Sequence, residues 1–203
     1  LTAEGLVPYF FGVYIIIGNR MINSALFVAV IKITCMIFGG LSPAFTAKVG
    51  SKRMAFIYAS IICVACSVLF FFIPMDASYI WLMIVVVVLT SAGIGLYSPL
   101  LWSMYADVAD YATEKNGASS TGLIFSSGTM SQKLGGAISG SLIALFLGLA
   151  GASMMKDDFG NSVIDPASIT DSVLTMVWSL FSLIPAGIAI IMALLAWLYP
   201  IKK

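Results

Sequence analysis

Four charged side chains frame the chemistry open to this chain. Asp107, Asp110 and Glu114 stand three and four residues apart at the mouth of one apolar stretch, and Lys133 stands alone midway along the next. Spacings of three and four put side chains on one face of a helix. A charge at the centre of a membrane helix costs about 2.5–3.5 kcal/mol on the mildest scales, so it is kept where an ion or a polar solute is handled. That points to transport rather than bond-breaking.

Lys133 has Thr129, Met130, Gly136, Ala137 and Gly140 as neighbours at helical spacing. The small ones leave room beside the ammonium. It lies about 12 residues from the ends of its run, too deep to snorkel easily. Three readings stand: a central solute or cation site, with Gln132 and Thr129 beside it; a structural ion pair; and a lipid-facing position. Lys32, a third of the way along an earlier run, either snorkels, pairs with Glu4 or Asp76, or lines a pathway.

Carboxylates at a helix C-terminus oppose the macrodipole and need compensation. Lys48, Lys52 and Arg53 fall on the same side of the membrane as Asp107, Asp110 and Glu114 and can supply it. The six residues form either a solvated surface or a salt-bridge latch. Exposed pairs are worth about 0–1 kcal/mol each, which suits a contact that breaks and reforms.

The elements that must position these groups are membrane helices. The chain is 61% hydrophobic and 9% charged, against about 45–50% and about 25% in soluble domains. Apolar runs cover roughly 5–18, 25–47, 54–74, 79–104, 121–150 and 172–199, and a bilayer core takes about 20 residues per helix. The expected fold is an all-α membrane protein, a bundle of six transmembrane helices. Continuous apolarity excludes alternating barrel strands. The chain opens on Leu1, with Glu4 and Pro8 at the head of the short first run and no signal peptide, so the first helix is expected to be truncated at its N-terminus.

Positive residues mark the cytoplasmic face. Lys48, Lys52, Arg53, Lys115, Lys202 and Lys203 share one side, and only Arg20 and Lys156 lie on the other. The C-terminus is therefore expected in the cytoplasm, with a cytoplasmic loop over about 105–120 and an acidic extracytoplasmic loop over about 151–171. Asp171 or Ser172 is the expected N-cap of the sixth helix.

Pro43, Pro99 and Pro185 interrupt helix interiors, as tolerated kinks or as hinges. Along the fifth run Gly128, Gln132, Gly136 and Gly140 recur every four residues beside Ser127, Ser131, Gly135 and Ser139, two stripes that let other helices approach. Tyr97, Trp102 and Tyr105 are either interface anchors or, for Tyr97 and Trp102, platforms for a sugar ring. Cys63 and Cys66 form C-x-x-C, but the chain has no His and no second ligand pair, so packing rather than metal binding is expected. No basic stripe with interleaved aromatics suggests nucleic acid.

Ala106-Asp107-Val108-Ala109-Asp110-Tyr111, Glu114-Lys115-Asn116-Gly117, Gly122, Phe125-Ser126 and Gln132-Lys133-Leu134-Gly135-Gly136-Ala137 resemble the glycoside–pentoside–hexuronide:cation symporters of the major facilitator superfamily. Pro8-Tyr9-Phe10, Gly18-Asn19 and the basic run Lys48-Val49-Gly50-Ser51-Lys52-Arg53 add to the likeness. The resemblance spans the chain as the C-terminal six helices of a twelve-helix carrier. It implies alternating access around a central sugar site between two halves. It also implies Lys133 near the sugar and cation sites, Asp107 and Asp110 in a cytoplasmic charge network, and a coupling cation (Na⁺, H⁺ or Li⁺) bound mainly by an N-terminal half in the plasma (inner) membrane. Two departures stand out. Ala118-Ser119-Ser120 occupies the place of an Arg common in the family, and Tyr97 or Ser98, rather than Trp102, falls nearest the family's sugar-facing Trp. A carrier of lipid or another solute, and a transport-inactive sugar sensor, share this architecture. An intramembrane aspartyl hydrolase using Asp107 and Asp110 would need the two to face each other across a dry site.

Overall fold

The computed structural model describes residues 24–73, 79–117, 119–156, 162–165 and 168–199. They form five helices, α1 (Ser24–Val49), α2 (Lys52–Phe71), α3 (Ile80–Asn116), α4 (Thr121–Leu149) and α5 (Asp171–Trp197), and a hairpin of β1 (Met154–Lys156) and β2 (Ser162–Ile164). These helices are the second to sixth apolar runs. The first run, with Glu4, Pro8-Tyr9-Phe10, Gly18-Asn19 and Arg20, lies outside the described residues, as do Asp76, Asp157, Asp158, Pro166, Lys202 and Lys203. Each described helix is long and apolar enough to cross a bilayer. The chain is an all-α multi-pass membrane protein, and among the described residues its strands are confined to one connection.

Helix α3 organises the bundle, with α1 on one side and α2 on the other. The approach to α1 is close because both helices carry glycine there. A Cβ added at Gly95 would sit 2.6 Å from the Cys35 carbonyl oxygen, and one at Gly39 would meet the Gly95 carbonyl at 3.6 Å. Lipid offers no hydrophobic drive between helices, so close packing and interhelical hydrogen bonds must hold them. Ser42 Oγ donates to the Leu96 carbonyl at 2.8 Å, and Cys35 Sγ to the Ser91 carbonyl at 3.2 Å. Toward α2, a Cβ on Gly93 would meet Cys63 Sγ at 2.6 Å. Cys35, Cys63 and Cys66 are free thiols within this packing. Pro99 removes the N–H that the Gly95 carbonyl would accept, and α3 nonetheless runs through it unbroken. Pro43 and Pro185 are also absorbed inside α1 and α5.

Helix α5 packs along α2. The Phe70 and Trp178 rings lie 4.7 Å apart, and Trp178 Nε1 donates to the Phe71 carbonyl at 3.2 Å. Two buried clusters result. The larger, near the hairpin, joins Phe70, Met83, Leu147, Val173 and Val177. The smaller, at the opposite end, joins Phe56, Leu100, Met104 and Ala196. Lys48, Lys52, Arg53 and Lys115 lie at that opposite end, called here the basic end.

Two boundaries differ from expectation. The stretch expected to loop from about 105 stays helical to Asn116. The stretch has no Gly or Pro to break it, Ala106, Ala109, Ala112, Glu114 and Lys115 favour a helix, and Ala109 is buried. The helix stops at Gly117, whose φ of 70° is left-handed and whose N–H caps the Thr113 carbonyl at 2.9 Å. The resulting 37 residues span about 55 Å, against about 30 Å of hydrocarbon, so α3 projects well past the membrane. The cap of α5 is Thr170, whose side chain accepts from the Val173 N–H, rather than Asp171 or Ser172. Asp171 occupies the first turn instead, where its charge complements the dipole.

Gly95→Ala is expected to destabilise the bundle by about 1–3 kcal/mol, the usual cost of overpacking. Gly140→Ala, whose Cβ meets nothing within 4 Å, is expected to be neutral or to stabilise by up to about 1 kcal/mol. Thermal unfolding of the two variants in detergent separates these outcomes.

Candidate functional site

Helix α4 carries Lys133, and its surface presents three groups of residues. Ile143 and Leu147 are its buried side chains, and they lean on the cluster near the hairpin. Leu123, Met130, Leu134, Ile138, Leu142 and Leu145 form an exposed apolar arc suited to lipid. A polar, small-residue arc of Ser126, Thr129, Lys133, Gly136 and Gly140 spans about 80° of the helical wheel, overlapping the direction of the buried pair but lying nearer the basic end. Lys133 stands 12 residues past Thr121 and 16 before Leu149. That is about 18 Å from the basic end at 1.5 Å per residue, near the middle of the membrane.

Ser126, Thr129, Met130, Lys133 and Leu134 line an open groove of about 380 Å³. Thr129 Oγ1 donates to the Ser126 carbonyl at 2.9 Å and Ser126 Oγ to the Leu123 carbonyl at 3.0 Å. Their protons are thus committed to the helix and their lone pairs face outward. The groove offers one cationic donor and two hydroxyl acceptors, which matches a polyhydroxylated or anionic solute. Gln132 is exposed beside it. Cβ atoms on Gly135, Gly136 and Gly140 would meet nothing within 4 Å. Among the described residues, then, the stripes are open at Gly135, Gly136 and Gly140, while Gly128 meets the Tyr105 ring of α3.

The aromatic residues read as sugar platforms do not line this groove. Tyr97 packs on Phe56 of α2, with ring centroids 5.6 Å apart. Trp102 stacks on Phe125 of α4 at 6.1 Å and 10°, with Tyr105 edge-on to Trp102 at 5.6 Å. Lys32 is exposed on α1, and the acids offered as its partners lie outside the described residues.

At the basic end the expected charge network is made only in part. Lys52 Nζ reaches both Asp107 oxygens, at 2.9 and 2.8 Å. Lys52 and Arg53 open α2, where a cation opposes the macrodipole and no acid occupies the first turn. Asp107 supplies the missing negative charge from α3, and its side chain is only 13% exposed. Arg53 turns to the Trp197 carbonyl at the end of α5. Tyr199 Oη donates to the Met104 carbonyl at 3.3 Å. Burial, and then the nearby Asp107 charge, push the Tyr199 phenol above its ordinary value of 10.0. Lys48, Asp110 and Glu114 are exposed and make no ion pair among the described residues. Asp107 and Asp110 therefore do not share a proton across a dry site, which removes the geometry an aspartyl hydrolase needs. Tyr199 and Arg53's carbonyl contact were not legible as site features, since both depend on where α5 ends against α2 and α3.

The family model described as "MFS/sugar transport protein" matches residues 1–203. The chain is 27% identical over 161 residues to the "Glucuronide carrier protein homolog" of Escherichia coli (strain K12), covering 79% of this chain and 32% of that protein. It is 31% identical over 101 residues to the "Uncharacterized 29.9 kDa protein in crtE 3'region" of Pseudescherichia vulneris, covering 50% of this chain and 36% of that protein. The matches thus span about a third of the length of these curated relatives.

Lys52→Met is expected to cost about 1–2 kcal/mol, between an exposed pair and a hydrogen bond to a buried charge. Pairing it with Asp107→Leu should recover most of that loss in a double-mutant cycle. A raised Tyr199 phenol contributes stability that is full below about pH 10 and is lost as pH climbs through its folded value. Tyr199→Phe should flatten that alkaline fall, as read from unfolding midpoints between about pH 8 and pH 11.

Proposed function

Since the chain belongs to the MFS/sugar transport family, we propose that it forms the C-terminal six-helix half of a secondary transporter that moves a glycoside, pentoside or hexuronide together with Na⁺, H⁺ or Li⁺ by alternating access. The observation that carries this reading is the polar arc of α4. A lysine at mid-membrane depth opens onto a groove of hydroxyl acceptors, and an unneutralised charge there is too costly to be kept for packing alone. Lys133 is the group that would meet the solute, with Thr129 and Gln132 beside it. Its ammonium suits the carboxylate of a hexuronide, in keeping with the likeness to a glucuronide carrier homologue.

A second, N-terminal six-helix half would cover the open glycines of α4 and enclose the groove. That half would supply the main cation-binding acids. Cation and sugar would each favour the same state of the carrier, so each would raise the other's affinity. At the basic end, Lys48, Asp110 and Glu114 would meet charges of the second half when the cytoplasmic side closes, while Lys52 and Asp107 hold α2 to α3 throughout. The count of six basic residues against two supports a cytoplasmic side for this end and the C-terminus, in a carrier of the plasma (inner) membrane.

Lys133→Ala in the full-length protein is expected to abolish or uncouple uptake of a labelled glucuronide while leaving membrane insertion intact. Fully coupled uptake by that variant would remove Lys133 from the pathway.

A further inference from the structure

Helix α4 touches α3 closely at one place, and that place is five residues from Lys133. A Cβ added to Gly128 would lie 2.8 Å from Tyr105 Cε2 and 3.3 Å from both Cδ2 and Cζ of the same ring. The ring therefore rests flat against the bare backbone of α4. Two aromatic neighbours flank it, and a cavity of about 330 Å³ opens beside it. Trp102 meets it edge-on at 5.6 Å, and Phe125, one turn before Gly128, meets it edge-on at 6.5 Å. Trp102 and Phe125 are stacked on each other, which closes the group.

The rest of α4 is held loosely. Near the hairpin it is fixed by Ile143 and Leu147. Between these two anchorages, Cβ atoms at Gly135, Gly136 and Gly140 would meet nothing. On the α5 side of this middle stretch lies an apolar cavity of about 210 Å³, bounded by Gly135, Ser139, Ile143, Ile184 and Ile188. Lys133 sits in this loosely packed middle. With so little else among the described residues touching α4 near it, the position of its ammonium within this half depends on how the nearer anchorage sets the helix.

We infer that Tyr105 and Gly128 are positioning residues: the Tyr105 ring seated on Gly128 sets where Lys133 stands in the solute pathway. The inference rests on the reading of Lys133 as a pathway residue. An added methyl group at 128 would drive against the Tyr105 ring, and α4 would take up part of the displacement. The tilt or rotation would be passed to Lys133, little more than one turn further on. The relevance to transport is that substrate-binding groups must be held to fractions of an ångström to be effective.

The test uses the full-length protein in a background free of other cysteines. Position 133 is made reportable by Lys133→Cys, and its rate of labelling by a water-soluble thiol reagent is compared with and without Gly128→Ala. A several-fold change in rate is expected, reversed when Tyr105→Leu is added to relieve the clash. An unchanged rate with Gly128→Ala, or a changed rate that Tyr105→Leu does not restore, overturns the inference. In the parallel arm Lys133 is left in place and uptake of a labelled glucuronide is measured. Gly128→Ala should raise KM several-fold at an unchanged amount of inserted protein, and Tyr105→Leu should bring it back. A labelling shift with unchanged KM would strike the pathway reading of Lys133 and leave the positioning contact standing.

Discussion

Close approach of backbones to α3 is the constraint on which the structure depends. In lipid there is no water to expel from between two apolar helices, so attraction must come from surfaces that touch over a large area and from polar groups that find each other. Gly93 and Gly95, on either side of Ile94, leave two positions of α3 without side chains and let α2 and α1 close in from different sides. Once the backbones are that near, short side chains reach carbonyls across the gap, as Ser42 does to Leu96. Helix α5 then docks on α2 through Phe70 and Trp178. Neither Lys52 nor Tyr199 would meet its partner on α3 without that scaffold.

The two kinds of charge in the chain obey different electrostatics. At the basic end, solvent is near, and the pairing of Lys52 with Asp107 corrects a local fault, cations at the start of a helix. Lys133 has no such correction among its groove neighbours, which offer hydroxyl lone pairs and no carboxylate. Its charge at mid-membrane depth is sustained only by water in the groove, by a solute, or by acids on other helices. That unsettled balance is what a carrier requires of a group whose partners must come and go.

Much of this was legible in the sequence, because a bilayer leaves a strong signature in composition. Five of the six apolar runs stand as helices close to where their hydrophobicity placed them, and Lys133 was recognisable as a lone charge in an apolar run. The link of the basic loop to Asp107 was legible in outline from the side of the membrane on which each falls. What stayed hidden depends on contacts between helices. Tyr105 read as an interface anchor because nothing local says that its ring meets a glycine on the following helix. The spacing of Asp107, Asp110 and Glu114 already suited one helical face, but how far α3 runs was hidden because its stop depends on the left-handed Gly117. Thr170, one residue ahead of the expected cap, shows that a polar run such as Ile169-Thr170-Asp171-Ser172 holds several candidates that only backbone geometry can rank.

The central claim is that this chain is part of a machine that moves a sugar uphill. The most direct measurement is accumulation of labelled glycosides, pentosides and hexuronides by proteoliposomes carrying the unmodified full-length protein, with and without an imposed Na⁺ or H⁺ gradient. The account predicts that one sugar class accumulates above its outside concentration only when a gradient is present, and that collapsing the gradient releases it. Failure of every sugar to accumulate under either gradient would contradict the account, leaving the family's architecture without its symport.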